Sequence, residues 1–150
     1  MAEITWQTKH FKDLSVDEYF EILHLRTAIF VVEQNCPYQE VDEKDRKCYH
    51  LYGRNEAGEI IATSRIVPQG VSYDEISIGR VALKENARGK GIADEMMNET
   101  FKFVEQQFGK EAIRISAQEY LLNFYGKHGF QQVGEGYLED NIPHVEMVRA

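Results

Sequence analysis

The stretch Asn86-Ala87-Arg88-Gly89-Lys90-Gly91-Ile92-Ala93 constrains this chain more than any other. It follows an apolar run from Ile76 to Leu83. It opens the clearest amphipathic pattern in the sequence, in which Ile92, Met96, Met97, Thr100, Phe101, Val104 and Phe108 share one broad face before Gly109. A strand that turns through two glycines into a long helix presents several backbone N–H groups to an anion. Gly89 and Gly91 permit close approach of a phosphate and tolerate positive φ, while Arg88 and Lys90 add charge. The common phosphate loops do not fit. Asp94 stands where GxGxxG needs its third small residue, and no Gly-Lys-Ser/Thr occurs. A merely tight strand-to-helix connection with solvated basic side chains would satisfy the same letters.

The rest of the pattern reads as a single domain over residues 1–150, without repeats or a linker. Ser15-Val16-Asp17-Glu18 has the form of a capping box, and Tyr19, Ile22, Leu23, Leu25 and Ile29 continue it as a helix near 16–29. Asn35 and Pro37 interrupt the chain, so 33–47 is a short helix or an irregular loop. Strands near 48–54 and 59–68 flank the turn Asn55-Glu56-Ala57-Gly58 as an antiparallel hairpin. A third strand lies near 74–84 and a helix near 91–108. A strand near 112–116, a short helix near 119–127 and strands near 130–138 and 142–149 complete an α/β fold with a sheet of mixed direction. In the third strand the apolar residues change parity, from Ile76 and Ile78 to Val81 and Leu83. A period of two forbids that without an extra residue, so either Gly79-Arg80 forms a β-bulge or the strand is buried on both faces.

Composition narrows the function classes. Seventeen Lys and Arg against twenty-five Asp and Glu give a net charge of −8, which lacks the basic footprint of a general nucleic-acid binder. Such charge favours cationic partners as a long-range bias, or simply solubility. No apolar run approaches the roughly 20 residues of a membrane helix. The start lacks a basic n-region and an apolar h-region, so a cytoplasmic location and no membrane partner are expected. Cys36 and Cys48 are the only cysteines and lie in no CxxC, which argues for reduced thiols and no metal site.

The second notable segment is Asn123-Phe124-Tyr125-Gly126-Lys127-His128-Gly129-Phe130, which taken alone is a short helix with core aromatics. Taken with the glycine turn, it resembles the GNAT superfamily of N-acetyltransferases. Arg88-x-x-Gly91-x-Ala93 is similar to that family's Gln/Arg-x-x-Gly-x-Gly/Ala signature, Ile78-Gly79-Arg80-Val81-Ala82-Leu83 to its bulged fourth strand, and Tyr125-x-Lys127-x-Gly129-Phe130 to its Tyr-x-Lys-x-Gly-Phe segment. The run from Arg26 to Gln34, Cys36-Pro37-Tyr38, Asp42, Asp45, His50 and Asp140-Asn141-Ile142-Pro143-His144 resemble the ElaA-like branch. The N-terminal half is also similar to acyl-homoserine-lactone synthases. Gln118 departs from the Asn that many members carry near the cofactor.

The resemblance implies the acyl-CoA N-acyltransferase fold, a mostly antiparallel mixed sheet with flanking helices and a bulged central strand. It also implies an acetyl-CoA-dependent transfer of acetyl directly to an amine of a small molecule or protein, by a monomer or homodimer. Alternatives are another acyl thioester as donor, or a non-catalytic acyl-CoA sensor. On this model Val81, Ala82 and Leu83 bind pantetheine through their backbone, and Arg88, Gly89, Lys90, Gly91, Ile92 and Ala93 surround the pyrophosphate. Tyr125 is the general acid for the CoA thiolate. The attacking amine must be neutral, and a lysine-type amine with a pKa of about 10.4 needs a base. Glu33 and His144 are candidates for that base or for orienting the acceptor, and Tyr38 joins them in substrate recognition. The competing view pairs Glu33 with Arg26 and leaves His144 on a loop carbonyl.

Overall fold

The computed structural model describes residues 3–150. Seven strands and three α-helices follow one another: β1 (Thr5–His10), α1 (Val16–Thr27), β2 (Tyr49–Arg54), β3 (Ile60–Val67), β4 (Ser77–Leu83), α2 (Ile92–Phe108), β5 (Ile113–Gln118), α3 (Leu122–Lys127), β6 (Gln131–Glu139) and β7 (Ile142–Arg149). Strands β1-β2-β3-β4 form one antiparallel sheet and β5-β7-β6 another. The mixed character rests on one parallel contact, Ile76 to Ile113, where the Arg114 N–H donates to the Ile76 carbonyl at 2.8 Å. Helix α2 is the crossover between these parallel neighbours.

Local chemistry explains most boundaries. The capping box forms: Ser15 Oγ accepts from the Glu18 N–H at 3.0 Å, and Glu18 Oε1 accepts from the Ser15 N–H at 2.8 Å. Helix α1 does not stop near 29 as its pattern predicts. It widens into a π-helix over Ala28–Glu33, with the Gln34 N–H reaching back five residues to the Ile29 carbonyl. Asn35, at φ 49°, ends it. Residues beyond are irregular apart from a 3₁₀ turn at Glu43–Lys47. Strand β1 is absent from the sequence reading because Thr5–His10 is a mostly polar edge strand with little apolar alternation to announce it.

The expected bulge is present. Thr63 pairs with Ala82 and Arg65 with Gly79, so one residue of β3 opposes Arg80 and Val81 on β4, and Arg80 takes φ 49°. The extra residue resolves the parity change. Ile76, Ile78, Val81 and Leu83 all pack on the α2 side with Met96, Met97, Ile113 and Ile115, whereas Ala82 packs on the α1 side with Ile22, Leu25 and Ile29. Strand β3, buried along its whole length, is the shared wall between these two cores. Beyond Ile76 the β5-facing edge of β4 has no strand partner, so the sheets part there.

Candidate active site

The gap between β4 and β5 is the mouth of a cleft of about 770 Å³. Its lining comes from both faces of the sheet. On the α2 side lie Val81, Leu83, Ala93, Met96, Leu121, Phe124 and Tyr125. The α1 side supplies Phe30, Glu33, Gln34, Tyr38, Asp42 and Arg65.

Period-two alternation on β5 sorts the chemistry between these faces. Ile113, Ile115 and Ala117 are buried against the α2-side core, so Arg114, Ser116 and Gln118 point the other way. His144 on β7 stands directly opposite Gln118, and Tyr137 on β6 stands opposite His144. His144 therefore belongs to the α1 side with Ser116 and Gln118. Tyr125, from α3, packs among the α2-side core residues. The Tyr125 phenol thus lies on one face of the opening and the His144 imidazole on the other.

The glycine turn fits an anion. Gly91 caps α2 at φ 78° with no side-chain partner, and Gly89 has φ 76°. A helix leaves its first N–H groups without intrahelical acceptors, so those of Ile92, Ala93 and Asp94 point out of the turn. A Cβ placed on Gly89 or Gly91 would meet nothing within 4 Å, so both hydrogens face open space. Lys90 is exposed, while the Ile92 side chain packs into the core. Of the expected pantetheine residues, Val81 and Leu83 line the cleft; Ala82 turns its side chain away and has only its backbone to offer.

Arg88 and Glu33, expected in different roles, are joined. Arg88 Nη1 and Nη2 donate to the two Glu33 oxygens at 2.9 and 3.0 Å, and Arg88 Nε donates to the Leu83 carbonyl at 3.1 Å. The pairing of Glu33 with Arg26 is thus corrected, because the π-helix carries Glu33 toward the glycine turn. Arg26 instead grips Glu40 with Nε at 2.9 Å and Nη2 at 2.5 Å, and Asp45 with Nη1 at 3.1 Å. A cluster of three arginines and three carboxylates follows, as Arg80 reaches Glu40 at 2.7 Å and Arg65 reaches Asp42 and Asp45 at 2.7 and 2.9 Å. Arg80 also lies over the Tyr38 ring, 5.5 Å from its centre. Burial alone would raise the Asp45 carboxyl, but Arg26, Tyr19 and Arg65 overrule it and hold it below the usual range.

His144 Nδ1 lies 2.7 Å from the Ile142 carbonyl, which can only accept. In the neutral ring Nδ1 therefore carries the proton and Nε2 keeps its lone pair. Glu139 Oε2 stands 3.6 Å from Nε2. Burial pushes the Tyr125 phenol well above its ordinary range, so it is protonated at neutral pH. Cys48 is buried and its thiol is pushed up to about 11 by that burial, unlike an activated nucleophile. Among the described residues no group of three or more His, Cys, Asp or Glu side chains is placed to hold a metal, and no helix is long and apolar enough to cross a membrane.

Several residues here escape sequence reasoning. Glu139 sits beside His144, and Gln34 and Gln118 exchange amide hydrogen bonds at 3.3 and 3.5 Å across the cleft. Asp94 ties α2 to α3 through His128 at 2.8 Å and Lys127 at 3.0 Å, which explains an acid where a small residue would complete a dinucleotide loop. Arg65 had a visible signal: a charge in the middle of Ile60-Ile61-Ala62-Thr63-Ser64-Arg65-Ile66-Val67 is foreign to a strand buried on both faces.

Known proteins are similar to this chain in sequence and fold. The family model for the acetyltransferase (GNAT) domain matches residues 10–150. Protein ElaA of Escherichia coli is 38% identical over 149 residues, covering 97% of this chain and 96% of ElaA. Its crystal structure superposes with a TM-score of 0.92 at 37% identity, over 99% of this chain and all of that one. An acyl-CoA N-acyltransferase from Pseudomonas aeruginosa gives a TM-score of 0.93 at 39% identity with the same coverage. With a family model spanning nearly the whole sequence and full-length relatives at this identity, the chain belongs to the GNAT acetyltransferase family, in its ElaA branch.

Proposed function

We propose that the protein is an acetyl-CoA-dependent N-acetyltransferase that moves an acetyl group directly to an amine. The observation that carries this reading is the opening through the sheet, with the Tyr125 phenol on one face and His144 on the other. The glycine turn lies at the end of β4, where five successive residues from Gly89 to Ala93 offer backbone N–H groups for a pyrophosphate. The unpaired edge of β4 offers further backbone groups to an extended pantetheine arm. Acetyl-CoA, as co-substrate, supplies the activated thioester.

The protein's own residues then divide the work. Neutral His144 takes a proton from the incoming amine at Nε2, on the face where Glu33, Tyr38 and Glu139 also lie. The amine nitrogen bonds to the acyl carbon as the carbon–sulfur bond breaks, and the departing sulfur takes the phenolic proton of Tyr125. Holding both reactants in one cleft removes much of the entropic barrier. Glu33, held by Arg88 through one bond to each oxygen, keeps a lone pair on each with which to orient the acceptor.

Thiol release from acetyl-CoA, measured with a panel of amines, tests the reading. Amine-dependent release with a matching mass increase on the amine, lost in His144→Asn while CoA binding persists, is the expected result. Tight CoA binding with no turnover on any amine would replace the enzyme with a sensor. Turnover only with longer acyl thioesters would change the donor.

A further inference from the structure

We infer that the amine acceptor carries a carboxylate, and that Arg65 with Lys44 forms its binding site at the α1-side end of the cleft. This deepens the N-acetyltransferase reading above and rests on it.

Arg65 carries the inference because its guanidinium is half used. Three arginines meet three carboxylates in the cluster behind the cleft, and two of them fill the fork made by Nε and Nη2. Arg26 closes that fork on the Glu40 carboxylate, and Arg80 uses the same two nitrogens for the Glu40 carboxylate and carbonyl and for Asp42. Arg65 makes both its ion pairs through Nη1 alone. Its Nε is sealed from solvent without an acceptor, and Nη2 takes none among the described residues. The residue as a whole is only 5% exposed, yet it lines the cleft. A buried donor left without an acceptor is costly, and with Nε sealed, Nη2 is the guanidinium nitrogen left to meet a carboxylate oxygen.

The surroundings agree. Ser77, which pairs with Val67 two residues beyond Arg65, lines the same wall, as do Ser72 and Tyr73. These hydroxyls are donors to an anion. Lys44 reaches the cleft from the 3₁₀ turn and has no ion-pair partner among the described residues. Acids without ion-pair partners among Lys and Arg stand elsewhere: Glu139 beside His144, and Asp140 next to it at the β6–β7 turn. Arg65 is already shared between Asp42 and Asp45, so Lys44 supplies the unpaired positive charge at that end of the cleft, while Glu139 and Asp140 stand by the imidazole at the other. An acceptor with an ammonium at one end and a carboxylate at the other matches both. A simple monoamine or diamine leaves Arg65 Nη2 and Lys44 without an acceptor.

The test compares matched acceptors: α-, β- and ω-amino acids, their carboxamides, and the corresponding decarboxylated amines, with acetyl-CoA and thiol release as readout. The expected result is kcat/KM at least tenfold higher for a carboxylate-bearing amine than for its carboxamide. Lys44→Gln and Arg65→Lys should each shrink that ratio at least threefold, mainly through KM, with Kd for CoA unchanged. Arg65 belongs to a buried cluster, so Lys44→Gln on the exposed rim decides the matter if Arg65→Lys does not fold. Turnover that favours the carboxamides or the decarboxylated amines overturns the inference and leaves the acetyltransferase standing. A ratio unchanged in the variants also overturns it. No turnover on any acceptor overturns both.

Discussion

Asp45→Asn should cost about 3–5 kcal/mol of stability, although it changes no volume. Asp45 is 1% exposed and accepts from Arg26 Nη1 at 3.1 Å, Arg65 Nη1 at 2.9 Å and the Tyr19 hydroxyl at 2.5 Å. Asparagine keeps the volume and removes the charge; its oxygen can stay with the two arginines, which both donate to Oδ1, while its NH₂ takes the place of Oδ2 beside the Tyr19 hydroxyl. The cluster then holds three guanidiniums against two carboxylates. Removing one partner of a buried pair costs about 3–5 kcal/mol, because the remaining charge stays desolvated. At about 2–4 °C per kcal/mol for a chain of this size, the melting temperature should fall by about 6–20 °C. Urea unfolding at pH 7, with unchanged m, is the assay. The pH dependence has a definite sign. Asp45 is held below its unfolded value, so its contribution is present above about pH 4 and is lost as pH falls through the lower folded value. The variant should lack that part of the acid sensitivity. A loss under about 1 kcal/mol would show that the cluster is well solvated, and the burial argument for Arg65 would fail with it.

Other outcomes follow from single features. Ser15→Ala removes one half of the capping box and should cost about 1 kcal/mol in urea unfolding, with activity unchanged. Glu18 is drawn down to about 2: burial opposes the shift, but Lys9, the Ser15 N–H and Tyr52 outweigh it. Its stabilisation should therefore fade as pH drops from about 4.5 toward 2, and Glu18→Gln should flatten that limb of a pH–melting curve. Gly91→Val puts a branched side chain into the space a phosphate would fill, at φ 78°, and should weaken CoA binding at least tenfold by calorimetry. Unchanged affinity would remove the turn from the site.

The legible parts of this fold are those where one rule acts alone. The glycines around Arg88 and Lys90, the face from Ile92 to Phe108 and the Ser15 cap are local, and each forms where the sequence puts it. The parity change in β4 leaves two readings, a bulge or a strand buried on both faces, and the register between Thr63 and Arg65 decides for the bulge, with Arg80 at φ 49°. What escaped depends on neighbours distant in sequence. Strand β1 is stabilised by its pairing with β2, not by its own pattern. The π-helix reflects how Ile29 and Phe30 pack, and it sends Glu33 to Arg88, fifty-five residues away, and not to nearby Arg26. Glu139 and His144 meet because Asp140 and Asn141, at φ 50° and 66°, turn β6 back on β7. Motifs can name Tyr125 and the glycine turn. The face on which Tyr125 and His144 each lie emerges only when β4 and β5 part.

The most direct test of direct transfer through this cleft is Tyr125→Phe, measured as kcat for amine-dependent thiol release alongside Kd for CoA. The ring remains in the core against Phe124 and Phe130, so folding and CoA affinity should be nearly unchanged. If the phenol delivers the proton to the leaving sulfur, kcat should fall by about 10²–10⁴. A variant that turns over like the parent would make Tyr125 a packing residue and contradict the proposed division of the cleft.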